Sequence, residues 1–266
     1  MLKRNSFLVT LLLGLVCSPG SARTLQQVLN DGTMRVGVAL YTPWAMRSPS
    51  GELIGFEIDV GRKLAEDMGV DVEFSVYPWE RIILALQSGE IDLIAAGLSI
   101  TPERALHVNF SQPYSRGGTA LATNLETTAA VGSLDDLNDA AYTVAAVSGT
   151  VAEELVDRIF PRAELVPYED PEAASAALIE GTVDAYLEDE PIPTFLALEN
   201  PTKVDVPVPD PLLETPAGFA VNKGDPDFII FLNAWITARE SDTWLPTLHG
   251  YWFETLRWRN QLGAAR

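Results

Sequence analysis

Apolar and polar positions along the chain switch between two periods. Residues 34–39 (MRVGVA) carry an apolar side chain at every second position, the repeat of a strand. Residues 58–68 (IDVGRKLAEDM) instead place Val60, Leu64, Ala65 and Met68 three and four apart, the spacing of one helix face, and Gly69 stops the run. The exchange repeats with a strand at 70–76, a helix at 82–87 ahead of Gly89, and a short buried strand at 91–95. A second set follows Arg116, Gly117 and Gly118. It has strands at 142–147, 163–168 and 183–187, and helices at 151–160, 171–179 and 193–198. A returning strand at 218–221 and helices at 228–239 and near 245–252 complete the pattern.

Two helix starts are marked chemically. Thr24 with Gln27 has the spacing of a capping box and predicts a short helix to Asn30, ahead of Gly32. Ser133 with Asp136 suggests another start. Repeated β–α alternation implies mainly parallel sheets covered by helices. The two sets fit either two domains in series or one domain inserted in the other. Open α/β sheets bind ligands beyond the carboxyl ends of their strands, so two facing sets would share a cleft.

The first residues change the picture of where the chain works. Lys3 and Arg4 precede an uncharged apolar run at 7–16, and Ser18, Pro19, Gly20, Ser21 and Ala22 form a small-residue segment. This is the pattern of an export signal cleaved after Ala22. The run is shorter than the roughly 20 apolar residues that a bilayer span needs, which disfavours an anchor. Cys17 raises a lipoprotein possibility, but Val16 before it is a poor fit to the small residue usual there. Cleavage would remove the one cysteine, leaving the core to stabilise the protein without disulfides. The expected product is a soluble periplasmic protein acting as a monomer.

Charge excludes several partners. The formal net charge is −19; without Lys3 and Arg4, 16 basic residues face 37 acidic ones, giving −21. Such a surface repels nucleic acid and anionic membrane. His107 and His249 are the only histidines, so no His/Cys metal cluster is available, and no EF-hand spacing appears. No G-x-S-x-G elbow, P-loop or G-x-G-x-x-G occurs. Neither a cofactor, a metal nor a catalytic residue is expected. Glu57 and Asp59 read as structural positions beside a helix start, and Trp44, Trp244, Trp252 and Trp258 as packing residues.

The most specific local feature is GLSITPERALHVNFSQPY at 97–114. Thr101 can cap a helix whose first residue is Pro102. A helix start offers unpaired N–H groups to a carboxylate, and Arg104 adds a planar fork of matching geometry. This stretch, with GFEIDV at 55–60, W-x-x-I-I-x-A-L-x-S-G-E-I-D at 79–92, SGT at 148–150 and VDAYLEDEP at 183–191, resembles the extracellular solute-binding proteins for polar amino acids that serve ATP-driven (ABC) importers. The resemblance covers nearly all of the chain after the signal.

The resemblance implies a two-lobed periplasmic binding protein fold of type II. Each lobe would be a mainly parallel sheet flanked by helices, with the ligand in the cleft between them. It implies lobe one at 23–120 and 216–266, lobe two inserted at 121–215, and hinge strands at 119–123 and 218–221. The ligand would be an amino acid or similar small zwitterion, and the partner the membrane permease of an ABC importer. Arg104 would clamp the ligand carboxylate, helped by Ser99, the backbone around Gly97, and Thr150. Asp189 would accept the ammonium group. Tyr41 and Trp79 would pack on the side chain. An acidic run is usually a solvated face, and Asp189 is the one member of Glu188–Asp189–Glu190 given a role.

Two rival readings share the scaffold. Cyclohexadienyl dehydratases have a similar closing stretch, here HGYWFETLRW at 249–258, but carry a catalytic Glu three positions after the second-lobe Asp. Here that position is Ile192, which exchanges no proton. A sensory domain is the other rival, and it fits less well where no membrane segment follows Arg266.

Overall fold

The computed structural model describes residues 23–262. The export segment, with Lys3, Arg4, Cys17 and the expected cleavage after Ala22, lies outside the described residues. Helix α1 (Leu25–Asp31) begins at the capping box: Gln27 N–H donates to the Thr24 hydroxyl, and Thr24 N–H donates to the Gln27 side chain. Gly32, at φ 69°, ends it, where a residue with a side chain would be strained. Strand β1 (Thr33–Val38) follows, then a small hairpin of β2 (Met46–Arg47) and β3 (Leu53–Ile54). Helix α2 (Phe56–Met68), β4 (Asp71–Val76), α3 (Ile82–Gln87), β5 (Leu93–Ile94) and α4 (Pro102–Ala105) complete the first set.

The long strand β6 (Asn109–Asn124) leads to the second set. That set contains α5 (Leu134–Leu137), β7 (Thr143–Val147), α6 (Val151–Ile159), β8 (Glu164–Tyr168), α7 (Pro171–Glu180), β9 (Ala185–Asp189), α8 (Ile192–Glu199) and β10 (Val204–Asp205). Strand β11 (Leu213–Val221) returns, and α9 (Pro226–Ser241) and α10 (Trp244–Phe253) cover the first set.

The strands form two parallel groups joined by an antiparallel pair, in the order β4-β1-β5-β11-β6-β9-β7-β8. Strand β1 runs parallel to β4 and β5, and β7 runs parallel to β8 and β9. Between them β6 pairs with β11 along its first part and with β9 from Thr119 to Thr123. The two crossing strands are longer than the segments expected at 119–123 and 218–221. Pro113 has no N–H to give to a ladder, but it faces Gly218 where the pairing shifts register, so the irregularity absorbs it. Gly118 is needed for space: a Cβ there would lie 2.4 Å from Pro211.

Each group has its own core on both faces. One half buries Met34, Val36, Phe56, Phe219 and Trp252 on one face, and Ile82, Leu86 and Ile91 on the other. The other half buries Leu121, Leu155 and Phe160 on one face, and Ala145, Leu178 and Tyr186 on the other. Trp44, Trp252 and Trp258 are core residues, and Trp244 packs against that core. Near the amino end of β1, Asp92 is fully buried and accepts from the side chains of Arg23 and Arg35. Burial opposes its ionisation, but those guanidinium groups hold its carboxyl below the usual range.

Candidate ligand-binding cleft

Loops after the carboxyl ends of β1, β4, β5, β7, β8 and β9 converge on one cavity of about 400 Å³. All seven residues singled out in the sequence line it: Tyr41, Trp79, Gly97, Ser99, Arg104, Thr150 and Asp189. They arrive from both halves of the molecule, the first five from loops of the first set and the last two from the second.

Arg104 is set by its own turn. Thr101 caps α4 by accepting the Arg104 N–H at 3.2 Å. The guanidinium donates to Ser99 O at 3.0 Å, reaches across the cleft to Gly149 O at 3.1 Å, and lies 5.5 Å from the Trp79 ring centroid. Trp79 Nε1 donates to the same Gly149 carbonyl at 3.2 Å. Burial lowers the Arg104 pKa, with Glu154 and Asp189 opposing it. Helix α4 has four residues. A single turn sums few peptide dipoles, so the carboxylate seat expected at a helix start reduces here to the Arg104 fork itself.

Gly97 sits at φ 62° under the Trp44 ring, where a Cβ would come within 3.0 Å of that ring. Its N–H donates to Glu57 at 2.7 Å, and Glu57 also accepts the Tyr114 hydroxyl at 2.5 Å. Burial pushes the Glu57 carboxyl up to about 8. Glu57 is thus a structural acid, as its place beside a helix start suggested, and what it holds is the Gly97 loop. Thr150 caps α6, accepting from Glu153 N–H, and its hydroxyl donates to Val147 O at 2.6 Å. To donate to a ligand, that hydroxyl has to turn away from Val147.

At the end of β9, Asp189 accepts from Thr119 Oγ1 at 2.8 Å and Thr215 Oγ1 at 3.2 Å, both on Oδ1. It keeps some accessible surface although it lies deep among protein atoms. Burial raises its pKa, and the two hydroxyls and Arg104 oppose the rise. Its neighbour Glu188 is not on a solvated face: it is 2 % exposed and lines the same cavity. Glu188 accepts the Tyr186 hydroxyl at 2.5 Å and the Asp189 N–H at 2.8 Å. Burial, with Asp189 beside it, pushes its carboxyl up to about 7. Tyr41 from the first half faces this carboxylate, though its buried hydroxyl makes no hydrogen bond of normal geometry.

The rest of the acidic run is elsewhere. Glu190 is half-buried and accepts from Thr194 Oγ1 at 2.9 Å, at the start of α8. Ile192 packs against the cluster around Tyr186 and is not part of the cavity wall. Among the described residues, Arg104 is the one basic side chain lining the cavity, against Glu80, Glu169, Asp170, Glu188 and Asp189.

Comparison with known proteins bears on this cleft. The family model for bacterial extracellular solute-binding proteins, family 3, matches residues 34–255. The chain belongs to this family.

This solute-binding protein is 26 % identical over 230 residues to the L-cystine-binding protein of Escherichia coli K12, covering 86 % of this chain and 85 % of that one. A binding component of an ABC transporter from Wolinella succinogenes, solved with lysine, superposes with a TM-score of 0.80 at 30 % identity, over 86 % of this chain and 99 % of the other. An ancestral amino-acid-binding protein described as a precursor of cyclohexadienyl dehydratase superposes with a TM-score of 0.77 at 33 % identity, covering 86 % and 98 %. These neighbours share the two-lobed α/β architecture.

Proposed function

We propose that this solute-binding protein captures a small α-amino acid outside the cytoplasmic membrane and delivers it to the permease of an ABC importer. One observation carries the reading: a cation, Arg104, and a carboxylate, Asp189, line the same cavity from opposite halves. A zwitterion taken out of water needs both charges paired, and these two residues offer the complementary signs. The relatives that bind cystine, lysine and other amino acids support it.

In this reading Arg104 clamps the carboxylate, with Ser99 and the Gly97 loop beside it and Thr150 assisting after rotation. Asp189 takes the ammonium group, and Tyr41 and Trp79 flank the side chain. Lobe two, 121–215, is inserted in lobe one, 23–120 and 216–266, and the two connecting strands act as the hinge. The protein is exported with cleavage after Ala22 and works as a monomer. It is a binding protein and not a dehydratase, because Ile192 offers no proton where that chemistry requires a Glu.

A thermal-shift screen of amino acids on the purified exported protein tests this. A ligand at about 100 times its Kd adds about 2.7 kcal/mol of stability. A screen in which no amino acid raises the melting temperature, or turnover of prephenate or arogenate by the protein, overturns the reading.

A further inference from the structure

We infer that Glu188 receives a second positive charge of the ligand, so that the preferred ligands are α-amino acids with a cationic side chain. The inference rests on the α-amino-acid reading above and starts from a count of charges in the cavity. Arg104 and Asp189 match the two charges of a zwitterion. Glu188 is then left over: a cavity-lining carboxyl, 2 % exposed, whose hydrogen bonds come only from neutral donors, the Tyr186 hydroxyl and the Asp189 amide.

Among the described residues the one cation of the cavity wall is Arg104, which acts on Asp189 rather than on Glu188. Asp189 and Tyr186 lie on its own strand, and Tyr41 faces it from the loop after β1. Glu172 of α7 acts on Tyr186 behind it. Glu169 and Asp170, just before α7, and Glu80 line the same cavity. Each charged member of this set other than Arg104 is acidic, so the cavity concentrates cations. The aromatic faces of Tyr41, Tyr77 and Trp79 on the cavity wall suit an ammonium or guanidinium group.

An ionised carboxylate this deeply buried is unfavourable without a partner. Two states resolve the conflict. Glu188 holds a proton when no cation faces it, in keeping with the upward push on its pKa to about 7. A ligand cation displaces that proton and pairs with the carboxylate. Binding of a dicationic amino acid therefore releases a proton near neutral pH, and its affinity rises as pH rises from 6 to 8. A ligand with a neutral side chain does not pair with Glu188 and leaves its titration as it was, so its affinity is flat over that interval.

Calorimetry on the exported protein with L-arginine, L-lysine and L-citrulline decides this, because citrulline has the shape of arginine without its side-chain charge. The parent should bind arginine or lysine at least about tenfold more tightly than citrulline, a difference of about 1.4 kcal/mol. Titrations in buffers of different ionisation enthalpy should show proton release with the cationic ligand. Glu188→Gln keeps the acceptor for Tyr186; it should weaken the cationic ligand, leave citrulline nearly unchanged and abolish the proton release. A parent that prefers citrulline or glutamine, or that binds the cationic ligand without proton release, overturns the inference while leaving the amino-acid reading standing. The same holds if Glu188→Gln binds with an unchanged preference. Failure of the parent to bind any amino acid overturns both. Since the parent's preference and proton release decide by themselves, a misfolded variant would not rescue the idea.

Discussion

Arg104 and Asp189 occupy the cavity with partners that hold them in place without neutralising them. Two carbonyls orient the guanidinium, and two hydroxyls on one oxygen orient the carboxylate. Arg104→Ala and Asp189→Ala should each weaken amino-acid binding by about a hundred-fold to a few thousand-fold, since a desolvated ligand charge left unpaired costs about 3–5 kcal/mol at about 1.4 kcal/mol per tenfold. Glu190→Ala is the control: it removes an acceptor for Thr194 but no part of the cavity wall, so affinity should hold within a few-fold. Calorimetry on the three variants, with circular dichroism to show that each is folded, gives the answer. A parent-like Asp189→Ala would remove Asp189 from the site. Arg104 was legible because its Thr-Pro start sets its turn, and that turn places it in the cavity wall. Glu188 was not, because alternation along a strand sends neighbours to opposite faces, whereas at the strand's end both Glu188 and Asp189 meet the cleft.

Among the elements, α2 carries the group with the clearest pH signature. Glu57 stands in its first turn, fully buried, joined to Gly97 and Tyr114, with its carboxyl raised to about 8. A raised acid pKa means that the folded state retains a proton that the unfolded chain has already lost. The stabilisation is complete below about pH 4.5 and declines as pH rises towards 8, by up to about 1.4 kcal/mol per unit. Glu57→Gln keeps an acceptor oxygen for both partners, so denaturant melts between pH 5 and 8 should show a shallower slope. Glu188 contributes a slope of the same sign, so some remains. An unaltered slope would mean that Glu57 is not the group responsible. The β–α order was legible because α2 and α6 present an apolar stripe and α1, α2 and α7 each end at a glycine. The full length of β6 was hidden by Pro113, which the register shift against β11 accommodates, and by Gly117 and Gly118, which pair with β11 in regular register; both are tertiary facts. The β2–β3 hairpin and β10, at two residues per strand, are too short to show any period.

For the whole molecule, the joining of two separately cored halves by β6 and β11 makes relative motion a constrained rotation rather than a loose swing. In the proposed reading, a ligand held by Arg104 on one side and Asp189 on the other would draw the halves together. Solution scattering should show a smaller radius of gyration with saturating amino acid than without it. An unchanged radius would argue against hinge closure.

The carbonyl of Gly149 accepts bonds from both Trp79 and Arg104 across the cleft, and neither bond involves a ligand atom. If the halves close on a ligand as proposed, these two bonds would favour the closed form to the same degree whichever amino acid is inside, and would bear on how long a bound molecule stays rather than on which one is chosen. Weakening them would then quicken release without changing preference.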